Sequence, residues 1–200
     1  MSFITQIRAI DSRKKVVTID YSYSFPLYNS ELRRFRLVDN SDVEDKIFDQ
    51  IRTILLSRVR SRIMYLLTDS DKSVNSIRIK MLRAHYPEDV VDSVINELLE
   101  LGYLDDGRYA YNYANSMREY KHKSKRCIAN ELYAKGVSRQ IIEETLAQFK
   151  DDDYELIAGA VKKKGYNSVA GIDMASRNKL YRYLLCKGFS YESINSFFNC

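Results

Sequence analysis

Two different spacings of apolar residues divide this chain. In Phe3-Ile4-Thr5-Gln6-Ile7-Arg8-Ala9-Ile10, and again from Val16 to Phe25, β-branched and aromatic side chains interleave with polar ones. Alternation with a period of two marks a strand with one buried face. The polar stretch Asp11-Ser12-Arg13-Lys14-Lys15 between the two runs predicts a hairpin turn, and Pro26 ends the second strand or places it at a sheet edge. A short strand or helical turn is expected around Glu31 to Val38. An isolated hairpin is only marginally stable, so this lead must pack on another strand or on the elements that follow.

From Ser41 the spacing becomes helical. Ser41-Asp42-Val43-Glu44 reads as an N-cap and acidic first turn, and apolar residues then recur at Val43, Ile47, Ile51, Leu55, Val59, Ile63 and Leu66. Further helices are predicted over 73–84, 87–101, 106–119, 124–134, 138–149, 152–164, 173–187 and 190–198. Gly102, Gly136, Gly165 and Gly188 fall where helical patterns stop. Pro87-Glu88-Asp89, Asp105-Asp106, Ser138 and Asp151-Asp152-Asp153 fall where they start.

The helices repeat. Residues 128–138 match 180–190 at a constant spacing of 52, through Lys135-Gly136-Val137-Ser138 and Lys187-Gly188-Phe189-Ser190, and the spacing carries Ile142 onto Ile194 and Leu146 onto Phe198. A fainter copy 51 residues upstream aligns Ile77, Met81, Tyr86, Val91 and Ile95 with Ile128, Leu132, Val137, Ile142 and Leu146. The expected architecture is mainly α, with tandem three-helix units forming an elongated curved body behind a small N-terminal segment containing a β-hairpin. A β-rich lead over 1–40 would precede units at 41–104, 105–150 and 151–200. Each unit is too small to bury a substantial core alone, which is the physical reason to stack them.

Composition narrows the class. With 45% hydrophobic residues, two prolines and seven glycines in 200 residues, the chain is too apolar to be disordered, and no stretch approaches a membrane span. Cys127, Cys186 and Cys200 are odd in number and scattered, and the amino terminus has no apolar leader core, so a soluble protein of the reducing cytoplasm is expected. A monomer is the expected state. The net charge of +5 is modest, but it is uneven: residues 105–150 hold nine basic and six acidic side chains.

Catalysis finds little footing. His85 and His122 lack Cys or acidic companions at ligand spacing and read as solvated surface residues, so no metal site is expected. The glycines form no phosphate-cradling loop, and no cofactor is implied. Cys127 follows cations that would lower its pKa, yet it has no base or resolving thiol and fits the apolar face of a helix. Asp105 and Asp106 would serve a hydrolase as acids or metal ligands; as an N-cap and first-turn residue of the helix carrying Arg108 and Tyr109 they satisfy backbone N–H groups, the simpler account.

Binding remains. Sixteen tyrosines and eight phenylalanines supply core, rim and stacking surface. Basic sets recur along the chain: Arg58, Arg60 and Arg62; Arg118, Lys121, Lys123, Lys125 and Arg126; Lys162 to Lys164; and Arg177, Lys179 and Arg182. Each alone is a solvated face, and Lys162 to Lys164 complement a helix C-terminus. Together they would form a discontinuous stripe for a long acidic or polyphosphate partner.

At these residues a family resemblance appears. Arg58-Val59-Arg60-Ser61-Arg62, the string from Leu98 to Ala110 with Gly102-Tyr103-Leu104-Asp105-Asp106 and Arg108-Tyr109-Ala110, the run from Ile128 to Val137, and Lys179 to Phe189 resemble, in order and spacing, the RecX regulators of bacterial RecA recombinase. The most specific part is the string from Leu98 to Ala110, in which Asp105, Asp106, Arg108 and Tyr109 are the structural motif; Gly136 and Gly188 mark the repeated motif. Gly165 to Asp173 is a looser junction than the family's tight links, and His85 stands where later units have glycine. The resemblance implies a non-enzymatic regulator that binds the RecA filament on single-stranded DNA. It would lower the filament's ATPase, strand-exchange and co-protease activities in recombination, DNA repair and the SOS response. The partner-facing candidates are Arg58, Arg60, Arg62, Arg118, Lys121, Lys123, Lys125, Arg126, Arg177 and Arg182, touching RecA or the DNA. The alternative is a helical protein that binds single-stranded nucleic acid without RecA.

Overall fold

The computed structural model describes residues 2–199, so Cys200 lies outside the described residues. Contacts divide the chain into two compact units, meeting at Asp105/Asp106.

In the first unit, strands β1 (Ser2–Ala9), β2 (Lys14–Ile19), β3 (Tyr23–Tyr28) and β4 (Ser41–Val43) form an antiparallel sheet in the order β3-β2-β1-β4. The expected hairpin is β1–β2. The run from Val16 to Phe25, read from sequence as one strand, is instead two. Asp20 and Tyr21 turn left-handed, with φ of 48° and 60°, and fold β3 back along β2. Asp20 accepts from the Phe3 N–H at 3.0 Å, so β1 itself holds that turn. Pro26 lies within β3, tolerated because β3 is an edge strand. Ser41 to Val43 are likewise a strand and not a helix cap: β4 pairs with β1, Val43 is buried, and Glu44 takes the N-cap position.

Helices α1 (Asn29–Arg34), α2 (Asp45–Leu67), α3 (Val74–Arg83) and α4 (Glu88–Glu100) complete this unit. Ile51, Leu55, Val59 and Ile63 recur every four residues along the buried face of α2 and share one apolar cluster with Ile4, Val17, Phe25 and Leu27 of the sheet and Ile77, Met81, Val91 and Val94 of α3 and α4. Phe48 meets Tyr23 and Phe25 edge-on, at centroid distances of 5.7 and 6.3 Å. The hairpin thus finds its apolar partner on α2.

The second unit contains α5 (Asp106–Lys121), α6 (Lys125–Ala134) and α7 (Arg139–Ala147), then α8 (Asp153–Lys163), α9 (Met174–Cys186) and α10 (Tyr191–Phe198). Each triplet has its own apolar cluster, one built on Ile128, Leu132, Val137 and Ile142 and one on Ile157, Leu180, Leu184, Phe189 and Ile194. The repeated Lys-Gly-(Val/Phe)-Ser motif is a joint. Gly136 and Gly188 close α6 and α9 left-handed, Val137 and Phe189 are buried, and Ser138 and Ser190 cap α7 and α10. The N–H groups of Val137 and Phe189 return to the carbonyls of Leu132 and Leu184, at 3.1 and 3.3 Å, the bond that satisfies a helix's last orphan acceptors. In the first unit His85 is left-handed, with a φ of 65° where the other copies have glycine, Tyr86 is buried, and Pro87 stands at the N-cap of α4 without a side-chain capping bond.

Candidate functional site

Most candidate cations are already engaged. Arg58 leaves α2 to pair with Glu31 of α1, reaches the Pro26 carbonyl at 3.3 Å and lies 4.7 Å from the centre of the Tyr28 ring. It ties α2 to the sheet and is only partly exposed. Arg60 pairs with Glu97 of α4 at an exposed position, and Arg62 is half-buried with no ion pair among the described residues.

Arg118 is almost wholly buried. Its guanidinium pairs with Asp152, donates to the Lys150 carbonyl at 3.0 Å and lies 5.2 Å from the centre of the Phe149 ring. Lys125 pairs with Asp151 at 2.7 Å, which holds that carboxyl below its ordinary pKa. The acidic run before α8, legible as a helix start, therefore also serves as the counterion set for α5 and α6. Lys123 pairs with Glu131, which also accepts from the Tyr113 hydroxyl at 2.9 Å. These two bonds hold Glu131 below the usual carboxylate range although burial opposes them. Burial and that hydrogen bond push the Tyr113 hydroxyl upward. The Cys127 thiol is raised, first by burial and then by Glu131, so the cations nearby do not activate it.

Lys121, Arg126 and Arg182 remain exposed, Arg126 reaching the Phe189 carbonyl at 3.5 Å, and Arg177 sits 5.1 Å from the centre of the Phe198 ring. Asp105 immediately precedes α5 and Asp106 is its first residue; Asp106 and, ahead of it, burial raise the Tyr109 pKa. Arg108 is exposed on the first turn.

His122 is not the solvated residue expected. It follows α5 in a left-handed conformation, with a φ of 49°, and its ring fills the space beside Gly159 of α8, where a Cβ would come within 2.8 Å of Cε1. Burial, then Lys187 and Lys163, lowers its pKa. Sequence reading missed Lys187 as a site residue. Its one signal was equivalence with Lys135 in the repeat, each lysine standing just before the capping glycine. Among the described residues no group of three or more His, Cys, Asp or Glu is placed to hold a metal ion, and no helix is long and apolar enough to cross a membrane.

Fold and site together define a sheet-led, tandem three-helix protein whose polar clusters brace helices and whose remaining cations face outward. A family model described as RecX, second three-helix domain, matches residues 105–146. Regulatory protein RecX of Chlorobium phaeobacteroides (strain BS1) is 32% identical over 129 residues, covering 64% of this chain and 83% of that protein. Regulatory protein RecX of Clostridium acetobutylicum is 28% identical over 203 residues, covering 96% and 92%. A crystal structure of regulatory protein RecX has the same fold, with a TM-score of 0.63 at 23% identity and full coverage of both chains. This chain belongs to the RecX family. Its relatives' designation as regulatory proteins points to a role other than catalysis.

Proposed function

We propose that this protein binds the RecA filament on single-stranded DNA and lowers its ATPase, strand-exchange and co-protease activities, acting as a cytoplasmic monomer. The observation that carries the reading is similarity to RecX regulatory proteins over nearly the whole chain, sheet-containing lead included. Three-helix units that follow one another behind the sheet-containing lead, from α2 to α10, would let one molecule touch several protomers of a filament. Among the candidate cations, Arg62, Lys121, Arg126, Arg177 and Arg182 have no carboxylate partner among the described residues and are the ones offered to RecA or DNA. Arg58 and Arg118 act in this reading by holding the units that present them.

Capture on RecA filaments assembled on single-stranded DNA, run beside DNA binding by the protein alone at two salt concentrations, tests the proposal. Retention on filaments that exceeds retention on bare DNA supports it. Equal retention on both, with steep salt dependence, would favour a nucleic-acid-binding protein acting without RecA, the reading supported by cations that lack acidic partners.

A further inference from the structure

The carboxyl end of α5 collects cations from three segments of the second unit. Lys163, the last residue of α8, donates from Nζ to the Tyr120 carbonyl at 2.7 Å, and Lys187, after α9, donates to the Lys121 carbonyl. Lys164 and Lys187 flank the Tyr183 ring, with Nζ 4.6 and 4.9 Å from its centre. His122 stands between α5 and α8, and Lys121 is exposed at the helix end. The partial negative charge of a helix C-terminus accounts for one or two such neighbours. It does not account for four lysines and a histidine. No carboxylate pairs with Lys121, Lys163, Lys164 or Lys187 among the described residues, and Glu131 is taken by Lys123. The crowding is felt on the cations themselves. Lys187 is lowered by burial first, then by Lys123, with Lys121 and Lys164 adding to it and Cys127 opposing.

Such a concentration of positive charge attracts anions. Beside it stands Tyr120, 65% exposed and without an aromatic partner among the described residues, at the same helix end. Cations that meet phosphates next to an exposed ring that meets a base are the elements of single-strand recognition. We infer that the junction of α5, α8 and the α9–α10 link is a single-stranded nucleic-acid site, with Lys163, Lys164 and Lys187 on backbone phosphates and Tyr120 stacked on a base. The inference rests on the filament reading for its biological setting and says which face meets the DNA. Its test contains no RecA, so the two fail separately.

Anisotropy of a labelled oligothymidylate with the full chain, between roughly 50 and 200 mM salt, reads both parts. The Lys163→Gln/Lys164→Gln/Lys187→Gln variant should bind at least about tenfold more weakly and lower the slope of log Kd against log salt by about two. Tyr120→Ala should weaken binding at every salt concentration and leave the slope in place. Lys164→Gln alone removes one exposed ammonium with no helix-end bond, so it still reports the loss if the triple variant folds poorly. Lys80→Gln/Arg83→Gln, exposed on α3, should bind as wild type. His122 gives a reading without mutation: oligonucleotide should raise its pKa, measured from ring proton shifts, by offsetting Lys163 and Lys187. Unchanged affinity and slope in the triple and Lys164 variants overturn the inference. So does a rise of the His122 pKa with inorganic phosphate when oligonucleotide leaves it unmoved, which would assign the junction to a free anion.

Discussion

Gly188 is the residue on which two helical triplets most closely depend. A Cβ there would lie 2.5 Å from Ser124 Oγ and 2.6 Å from Cys127 Cβ, and the backbone has a φ of 88°. Gly102 has a similar φ of 72° but open space around it. Gly102→Ala should cost about 1 kcal/mol, the left-handed penalty alone, whereas Gly188→Ala should cost about 2–4 kcal/mol because the α6 backbone must also shift. Urea unfolding of the two variants separates the terms. Arg118→Ala should cost about 2–3 kcal/mol by leaving Asp152 and the Lys150 carbonyl without their donor, a loss expected in stability before any loss in binding. For His122, burial and the flanking lysines hold the folded pKa below the ordinary 6.5. Its contribution is therefore present above about pH 6.5 and is lost as pH falls toward the folded value, because the unfolded chain takes up the proton first. Thermal melts between pH 7.5 and 5.5, chosen to stay above most carboxylate titration, should show this decline in wild type and a flatter one in His122→Asn, since asparagine also accepts a left-handed backbone.

At the scale of the element, legibility in the sequence follows where the controlling bonds lie. Helix ends were readable because the cap residues sit within a turn of what they cap: Ser73, Ser124, Ser138, Asp173 and Ser190 each accept from the N–H three residues on. The strand breaks were not. Val16 to Phe25 alternates smoothly across Asp20-Tyr21, and what turns the chain there is pairing with Phe3, 17 residues away. Ser41-Asp42-Val43 satisfied a helix-start pattern and was claimed by β1, whose edge it closes. The joint motif permits a direct check. His85 occupies a left-handed position that its counterparts give to glycine, and it is exposed, so His85→Gly should raise stability by about 0.5–1 kcal/mol in chemical denaturation.

Across the whole molecule, the family was legible and the site only in part. The string from Leu98 to Ala110 and the doubled Lys-Gly motif carried membership, because they encode helix joints that every repeat must make. The basic run from Arg118 to Arg126 was legible as charge, but not as pairing: Arg118 and Lys125 find Asp152 and Asp151, 34 and 26 residues along the chain. Beside those pairs, Lys121, Lys163, Lys164 and Lys187 keep their charge without a carboxylate among the described residues, and they meet because the ends of α8 and α9 reach the end of α5 through Lys163 and Lys187. The proposed function asks for no reacting group, only for surfaces held in place. Polar clusters hold the helices in register, and the exposed cations and rings are what the proposed function assigns to partners. The most direct measurement of that claim is hydrolysis of ATP by the cognate RecA on single-stranded DNA, titrated with this protein. The account predicts a progressive fall in rate at amounts well below one molecule per RecA protomer, and a rate that stays level through a full equimolar titration would contradict it.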